Sequence, residues 1–109
     1  DLDVNKEGPS ASIAICCVIY SLLNKLPIKQ HFAVTGELSM LGNAMAIGGL
    51  DHKILGSIKS GVTSFIYPHE NEKSFKDFME KYENRQEIKG IEFHEVKNIK
   101  EVFEIIFDK

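Results

Sequence analysis

The sequence predicts one small α/β domain in which helices alternate with short strands. The first observation is an apolar run at residues 13–23, which is long enough for a buried helix. The second is a β-branched and aromatic run at residues 62–67, closed by Pro68, which is typical of a buried strand. The third is an amphipathic helical pattern at residues 71–82. We expect the last two strand–helix units to form right-handed parallel crossovers.

One buried helix dominates the first half of the chain. The helix is predicted at residues 10–23 and is apolar on nearly every side. It is expected to follow a turn at Gly8-Pro9, because proline is favoured in the first turn of a helix. Pro27 ends it, since the residue before a proline avoids the helical backbone region. The other predicted elements are the end of a strand at Leu2 and Val4, a strand at residues 28–38, a turn at residues 39–43 around Gly42 and a strand at residues 44–47.

The second half of the chain alternates helices and strands. A helix at residues 50–60 follows the break at Gly48-Gly49, and Gly61 ends it. Asn98 is predicted to cap the last helix, with Glu101 as its capping-box partner. The other predicted elements are a strand at residues 62–67, a helix at residues 71–82 and a strand at residues 91–96.

Composition and charge narrow the functional classes. The 109 residues are 43% apolar and 27% charged, as in an ordinary globular domain. The net charge of −3 gives no electrostatic reason to expect nucleic acid or an anionic membrane as a partner. No stretch is long and apolar enough to span a bilayer, and no Gly-x-x-x-x-Gly-Lys phosphate loop is present. The two cysteines are adjacent, so we expect no disulfides and a reducing compartment. The histidines lack metal-ligand spacing, so we expect no metal site.

Two residues could carry chemistry. Ser10 is predicted at the start of the buried helix, where unpaired backbone N–H groups stabilise negative charge. It is either a helix cap or a nucleophile whose oxyanion these donors hold. Lys53 is predicted in the first turn of its helix, where the helix dipole disfavours a cation. It is either a solvated surface residue or, as a neutral amine, a base that takes a proton from a serine.

Three motifs in fixed order resemble the proteolytic domain of Lon proteases. They are Gly8-Pro9-Ser10-Ala11, Thr35-Gly36-Glu37, and Gly48-Gly49-Leu50 followed two residues later by Lys53. The separation of Ser10 and Lys53 matches the family without insertion or deletion, and the resemblance continues through Gly61-Val62 and residues 66–71 to the last helix. The resemblance implies an α/β (α+β) fold of the Lon proteolytic-domain type, which is ribosomal protein S5 domain 2-like.

The resemblance also implies roles for particular residues. Ser10 would attack the peptide carbonyl, and Lys53 would act as general base and then as general acid toward the leaving amine. The Thr35 hydroxyl would orient the Lys53 amine, and backbone N–H groups near Ser10 would form the oxyanion hole. Glu7 would have a supporting role, where the family usually has Asp, and Ser12 stands inside the helix where the family usually has Gly.

A larger parent protein is implied as well. Residues 1–109 would be the C-terminal portion of a Lon-type proteolytic domain. Its upstream part and an AAA+ ATPase module, which uses ATP and Mg, would lie outside this chain, and the chain itself would need no cofactor. Unfolded or damaged polypeptides would be the substrates of a homo-hexamer in a bacterial cytoplasm or a mitochondrial or other organellar matrix. Two alternatives stay open: a non-catalytic binding or assembly module of the same fold, and a fragment whose site is incomplete.

Overall fold

The computed structural model describes residues 11–107 and has an α/β architecture, as predicted. The predicted strand end at Leu2 and Val4 lies outside the described residues. In chain order the elements are β1 (Ala11–Ser12), α1 (Ile13–Asn24), β2 (Phe32–Val34), β3 (Glu37–Leu38), β4 (Ala44–Met45), α2 (Leu50–Lys59), β5 (Ser64–Pro68), a 3₁₀ turn (His69–Asn71), α3 (Glu72–Tyr82), α4 (Gln86–Lys89), β6 (Glu92–Val96) and α5 (Ile99–Ile106).

A parallel sheet of order β2-β5-β6 forms the centre of the domain. The predicted parallel pairing of successive strand–helix units is therefore confirmed. Every residue of β5 is buried, as expected for a strand covered on both faces. Its side chains alternate between the faces. Ile66 packs in the cluster that contains Ile13 and Val102 of α1 and α5, whereas Phe65 packs with residues of α2 and α3.

A smaller antiparallel sheet of order β1-β3-β4 lies beside the parallel one. The strand predicted at residues 28–38 is instead two strands, β2 and β3, in different sheets. Gly36 separates them, with a φ of +121° that favours glycine. A Cβ atom at Gly36 would lie 2.7 Å from Cγ of Pro68, so the chain can cross between the sheets here only without a side chain. The predicted turn around Gly42 is confirmed.

The first helix differs from the prediction in its start and in its burial. α1 begins at Ile13 and has Ser12 as its N-cap, whose hydroxyl accepts the Ile15 N–H at 3.4 Å. The predicted start at residue 10 was wrong because Ala11 and Ser12 pair with β3 as a strand. The prediction of burial on nearly every side was also wrong, since residues 11–107 cover one side of α1 only. Its exposed apolar residues are Ile15, Val18, Ile19, Tyr20, Leu22 and Leu23.

The remaining boundaries lie close to their predicted places. Asn98 caps α5, and its Oδ1 accepts the Glu101 N–H at 3.0 Å. The Glu101 carboxylate accepts the Lys97 N–H at 2.7 Å, so the second bond of the capping motif falls one residue earlier than predicted. The short helix α4 was not predicted. Between residues 11 and 107, no helix is long and apolar enough to cross a membrane.

Candidate active site

Lys53 lies in the first turn of α2, as predicted. The helix is preceded by Gly49, which has a left-handed backbone with φ 67°, and the Lys53 N–H donates to the Gly49 carbonyl at 3.1 Å. No side chain caps this helix. Asp51 supplies a negative charge in the same turn, where the helix dipole favours it. The Lys53 side chain is exposed.

Thr35 lies at the end of β2, where the chain leaves the parallel sheet. Its backbone N–H and its hydroxyl donate to the Ile66 carbonyl at 3.0 Å and 3.1 Å. These two bonds fix the Thr35 side chain against the central strand. Because a hydroxyl that donates keeps its lone pairs, the Thr35 oxygen can still accept a hydrogen bond from a lysine ammonium group.

Thr35 and Lys53 line one cavity of about 270 Å³ together with the start of α1. We call it the site cavity. Its lining residues are Ser12, Ala14, Val34, Thr35, Gly36, Glu37, Ile47 and Lys53. Ser12 stands two residues after Ser10 in the sequence. The fold therefore gathers Lys53, Thr35 and the segment that follows Ser10 around one space.

Ser10 and Glu7 lie outside the described residues, so their roles stay predictions. Two backbone donors at the start of α1 are engaged within the fold. The Ile13 N–H donates to the Gly36 carbonyl at 3.0 Å, and the Ile15 N–H donates to the Ser12 hydroxyl. An oxyanion hole near Ser10 would therefore use other backbone N–H groups.

Two residues that hold the backbone beside the site cavity were missed from the sequence. Asn71 is 2% exposed and forms hydrogen bonds with both backbone groups of Ile47, and Glu70 accepts a bond from Ala46. Residue 71 was predicted only as the start of a helix. The residues on either side of Asn71 are charged, so no local pattern indicated that its amide is buried, and its hydrogen-bond partner is distant in the sequence.

A second polar group lies at the carboxyl ends of β5 and β6. The Tyr67 hydroxyl donates to Glu95, and His69 contacts the other oxygen of the same carboxylate. Burial and the neighbouring Glu95 carboxylate raise the pKa of Tyr67. Within residues 11–107, no cluster of three or more histidine, cysteine, aspartate or glutamate side chains could hold a metal ion.

The described residues form an α/β domain in which Lys53 and Thr35 line one cavity. Residues 2–109 match the family model described as the Lon protease (S16) C-terminal proteolytic domain. The chain therefore belongs to the family of Lon proteolytic domains, which is a family of peptidases.

Curated relatives support the same membership. The chain is 38% identical over 103 residues to a Lon protease of Buchnera aphidicola subsp. Schizaphis graminum, covering 94% of this chain and 13% of that protein. It is 38% identical over 106 residues to a Lon protease of Elusimicrobium minutum, covering 97% of this chain and 12% of that protein. It is 40% identical over 102 residues to a Lon protease of Borrelia duttonii, covering 94% and 12%. The chain thus spans only a small part of the length of these relatives.

Proposed function

We propose that this chain is the serine endopeptidase portion of a Lon-type protease and that Ser10 and Lys53 form its catalytic dyad. One observation carries the proposal: Lys53 and Thr35 line the same cavity as Ser12, two residues after Ser10. Family membership supports hydrolysis of peptide bonds. The shared cavity supports Lys53 as the base, because a base must come within reach of the hydroxyl that it deprotonates.

In the proposed reaction, the Ser10 hydroxyl attacks the peptide carbonyl carbon while the neutral Lys53 amine takes the hydroxyl proton. A bond forms between Ser10 Oγ and that carbon. The C–N bond then breaks as the Lys53 ammonium returns the proton to the leaving amine. A water molecule next attacks the ester, gives its proton to Lys53 and releases Ser10, which recovers its proton from the lysine. Backbone N–H groups near Ser10 would hold the oxyanion.

Thr35 is proposed to orient the base. Its hydroxyl is anchored by donation to the Ile66 carbonyl, so its oxygen has a defined position beside the central strand β5. A lysine side chain has many rotamers, and a fixed acceptor would favour those that point its amine into the site cavity. Glu7 keeps the supporting role that the resemblance implies.

An extended peptide is the proposed substrate. β1 is an edge strand of the antiparallel sheet formed by the described residues, and it ends at the N-cap of α1 beside the site cavity. A peptide that pairs with such an edge is held mainly by main-chain hydrogen bonds. Main-chain recognition depends little on sequence, which suits cleavage of unfolded or damaged polypeptides.

The chain is further proposed to act within a larger protein. It spans 13% of the Buchnera relative. The upstream part of the domain and an AAA+ ATPase module, which would use ATP and Mg, are proposed to lie outside this chain, and six copies are proposed to assemble. A bacterial cytoplasm or an organellar matrix would be the location. Neither nucleic acid nor membrane is proposed as a partner of this chain.

Peptide hydrolysis by three variants tests the dyad. Ser10→Ala and Lys53→Ala should each lower kcat by at least about a thousandfold, because the two groups act as one unit. Lys59→Ala is the matched control, since it removes an exposed lysine from the other end of α2. Lys59→Ala should cleave the peptide at the rate of the unmodified protein. Thermal denaturation should be similar in all three. Normal turnover by Lys53→Ala would disprove the dyad.

A further inference from the structure

We propose that Asn71, assisted by Glu70, is a positioning residue that holds Lys53 in place at the site cavity. This inference rests on the proposed function of Lys53 as the base. Neither residue lines that cavity. Both would act through the backbone segment that leads into α2.

Hydrogen bonds join the 3₁₀ turn to this segment. Asn71 Oδ1 accepts the Ile47 N–H at 3.0 Å, and Asn71 Nδ2 donates to the Ile47 carbonyl at 2.9 Å. One amide side chain thus satisfies both backbone groups of one residue. Glu70 Oε1 accepts the N–H of the preceding residue, Ala46, at 2.9 Å. Two consecutive side chains therefore clamp two consecutive backbone units.

The clamp is itself fixed by the core. Asn71 is 2% exposed and stands between the buried end of β5 and the start of α3. α3 packs through Phe78 into the cluster that contains Leu50 and Ile54 of α2. The 3₁₀ turn, through α3, and α2 thus belong to the same packed unit. The turn and α2 would therefore both resist a displacement of the segment at Ala46 and Ile47 that lies between them.

The residues that Asn71 and Glu70 hold are joined to the helix of Lys53 by a short connection of two glycines. Ile47 lines the site cavity, and Gly48-Gly49 joins it directly to α2. Glycines adopt many backbone conformations, and no side chain caps α2. Because only two residues separate Ile47 from Leu50, the position of Ile47 limits where the helix can begin, and Lys53 follows within its first turn. A misplacement of about 1 Å can lower a rate by about a hundredfold.

Steady-state kinetics of four variants, each made in the full-length protein, test the positioning role. Asn71→Ala should lower kcat for a peptide substrate by about 10- to 100-fold with less than about a threefold change in KM. Asn98→Ala is the matched control, because it removes a structural asparagine that caps α5. It should lower the melting temperature but leave kcat per folded molecule unchanged. Glu70→Ala should lower kcat by about 3- to 10-fold, and Glu70→Gln, which keeps an acceptor oxygen, should restore it.

Amide hydrogen exchange supplies a readout that needs no activity. The amides of Ile47 and Lys53 should exchange at least about tenfold faster in Asn71→Ala than in Asn98→Ala, because only the former releases the segment before α2. Equal exchange in the two variants would overturn the clamp.

The two proposals fail in distinguishable ways. An unmodified protein whose cleavage does not depend on Lys53 would overturn the proposed function before any clamp variant is compared. Where that cleavage is present, equal kcat in Asn71→Ala and Asn98→Ala would overturn the positioning role alone. If Asn71→Ala does not fold, the Glu70 pair decides the question: unchanged kcat in Glu70→Ala would count against the proposal, and a loss that Glu70→Gln restores would support it.

Discussion

α1 and α2 both begin at the site cavity, but their starts are held in different ways. The Ser12 hydroxyl caps α1 from within its own sequence. α2 has no side-chain cap, and the segment before it is bound by Asn71, which is 24 residues away from Ile47 in the chain. The side chain that caps α1 is a neighbour in sequence, whereas the side chain that holds the segment before α2 is a neighbour only in space. A substitution far from Lys53 can therefore affect the proposed base as strongly as one beside it.

The largest effect is expected at Gly36, which supports the start of α1. Gly36 accepts the Ile13 N–H and lies beside Thr35, and an added Cβ would meet the rigid ring of Pro68 at 2.7 Å. Gly36→Ala should lower the free energy of unfolding by more than about 3 kcal/mol, since overpacking adds to an unfavourable φ. Urea denaturation measures this. Gly56→Ala in α2 has open space and should be neutral or stabilising by up to about 1 kcal/mol. Similar effects of both substitutions would refute the account of Gly36.

The buried side of α1 should make stability depend on pH. Burial, with a smaller effect of the adjacent Cys16, raises the pKa of Cys17 from 9.0 to about 11. Below about pH 9 the thiol is protonated in both states. Between about pH 9 and 11 only the unfolded chain loses this proton, so the free energy of unfolding should fall by about 2 kcal/mol as the pH rises. The decrease should be smaller in Cys17→Ala by that amount. Identical pH profiles would contradict a buried thiol.

At the start of α2, substitution of Gly49 should lower the free energy of unfolding, whereas substitution of the neighbouring Gly48 should not. Gly49 has a φ of +67° with nothing within 4 Å of an added Cβ, so Gly49→Ala should cost about 1 kcal/mol from the left-handed backbone alone. Gly48 has equally open surroundings and no positive φ, so Gly48→Ala should be close to neutral. Chemical denaturation of both variants measures the difference. A larger loss in Gly48→Ala would show that the backbone argument is wrong.

Features fixed by nearby residues could be predicted from the sequence. Asn98 as a cap, the turn around Gly42 and the place of Lys53 in a first turn each depend on a few adjacent residues. The start of α1 could not be predicted, because Ser10 and Ser12 are both suitable caps and pairing of β1 with β3 decides between them.

Long-range partners account for the other differences. The division of residues 28–38 into two strands follows from the crossing at Gly36 beside Pro68, which is remote in sequence. The bonds of Asn71 to Ile47 have the same character. The site cavity itself combines residues from α1, β2, β3 and α2, which are distant in the sequence, so the sequence could link Ser10 with Lys53 only through the family resemblance.

Labelling with a serine-directed peptide boronate or acylating probe tests the central claim most directly. The adduct would be located by mass spectrometry in the unmodified protein, in Ser10→Ala and in Lys53→Ala. The account predicts an adduct on Ser10 that forms in the unmodified protein and is lost in both variants, while Lys59→Ala retains it. An adduct on Ser10 that forms equally well without Lys53 would contradict the dyad. The absence of an adduct on a protein that is folded and assembled would contradict it as well.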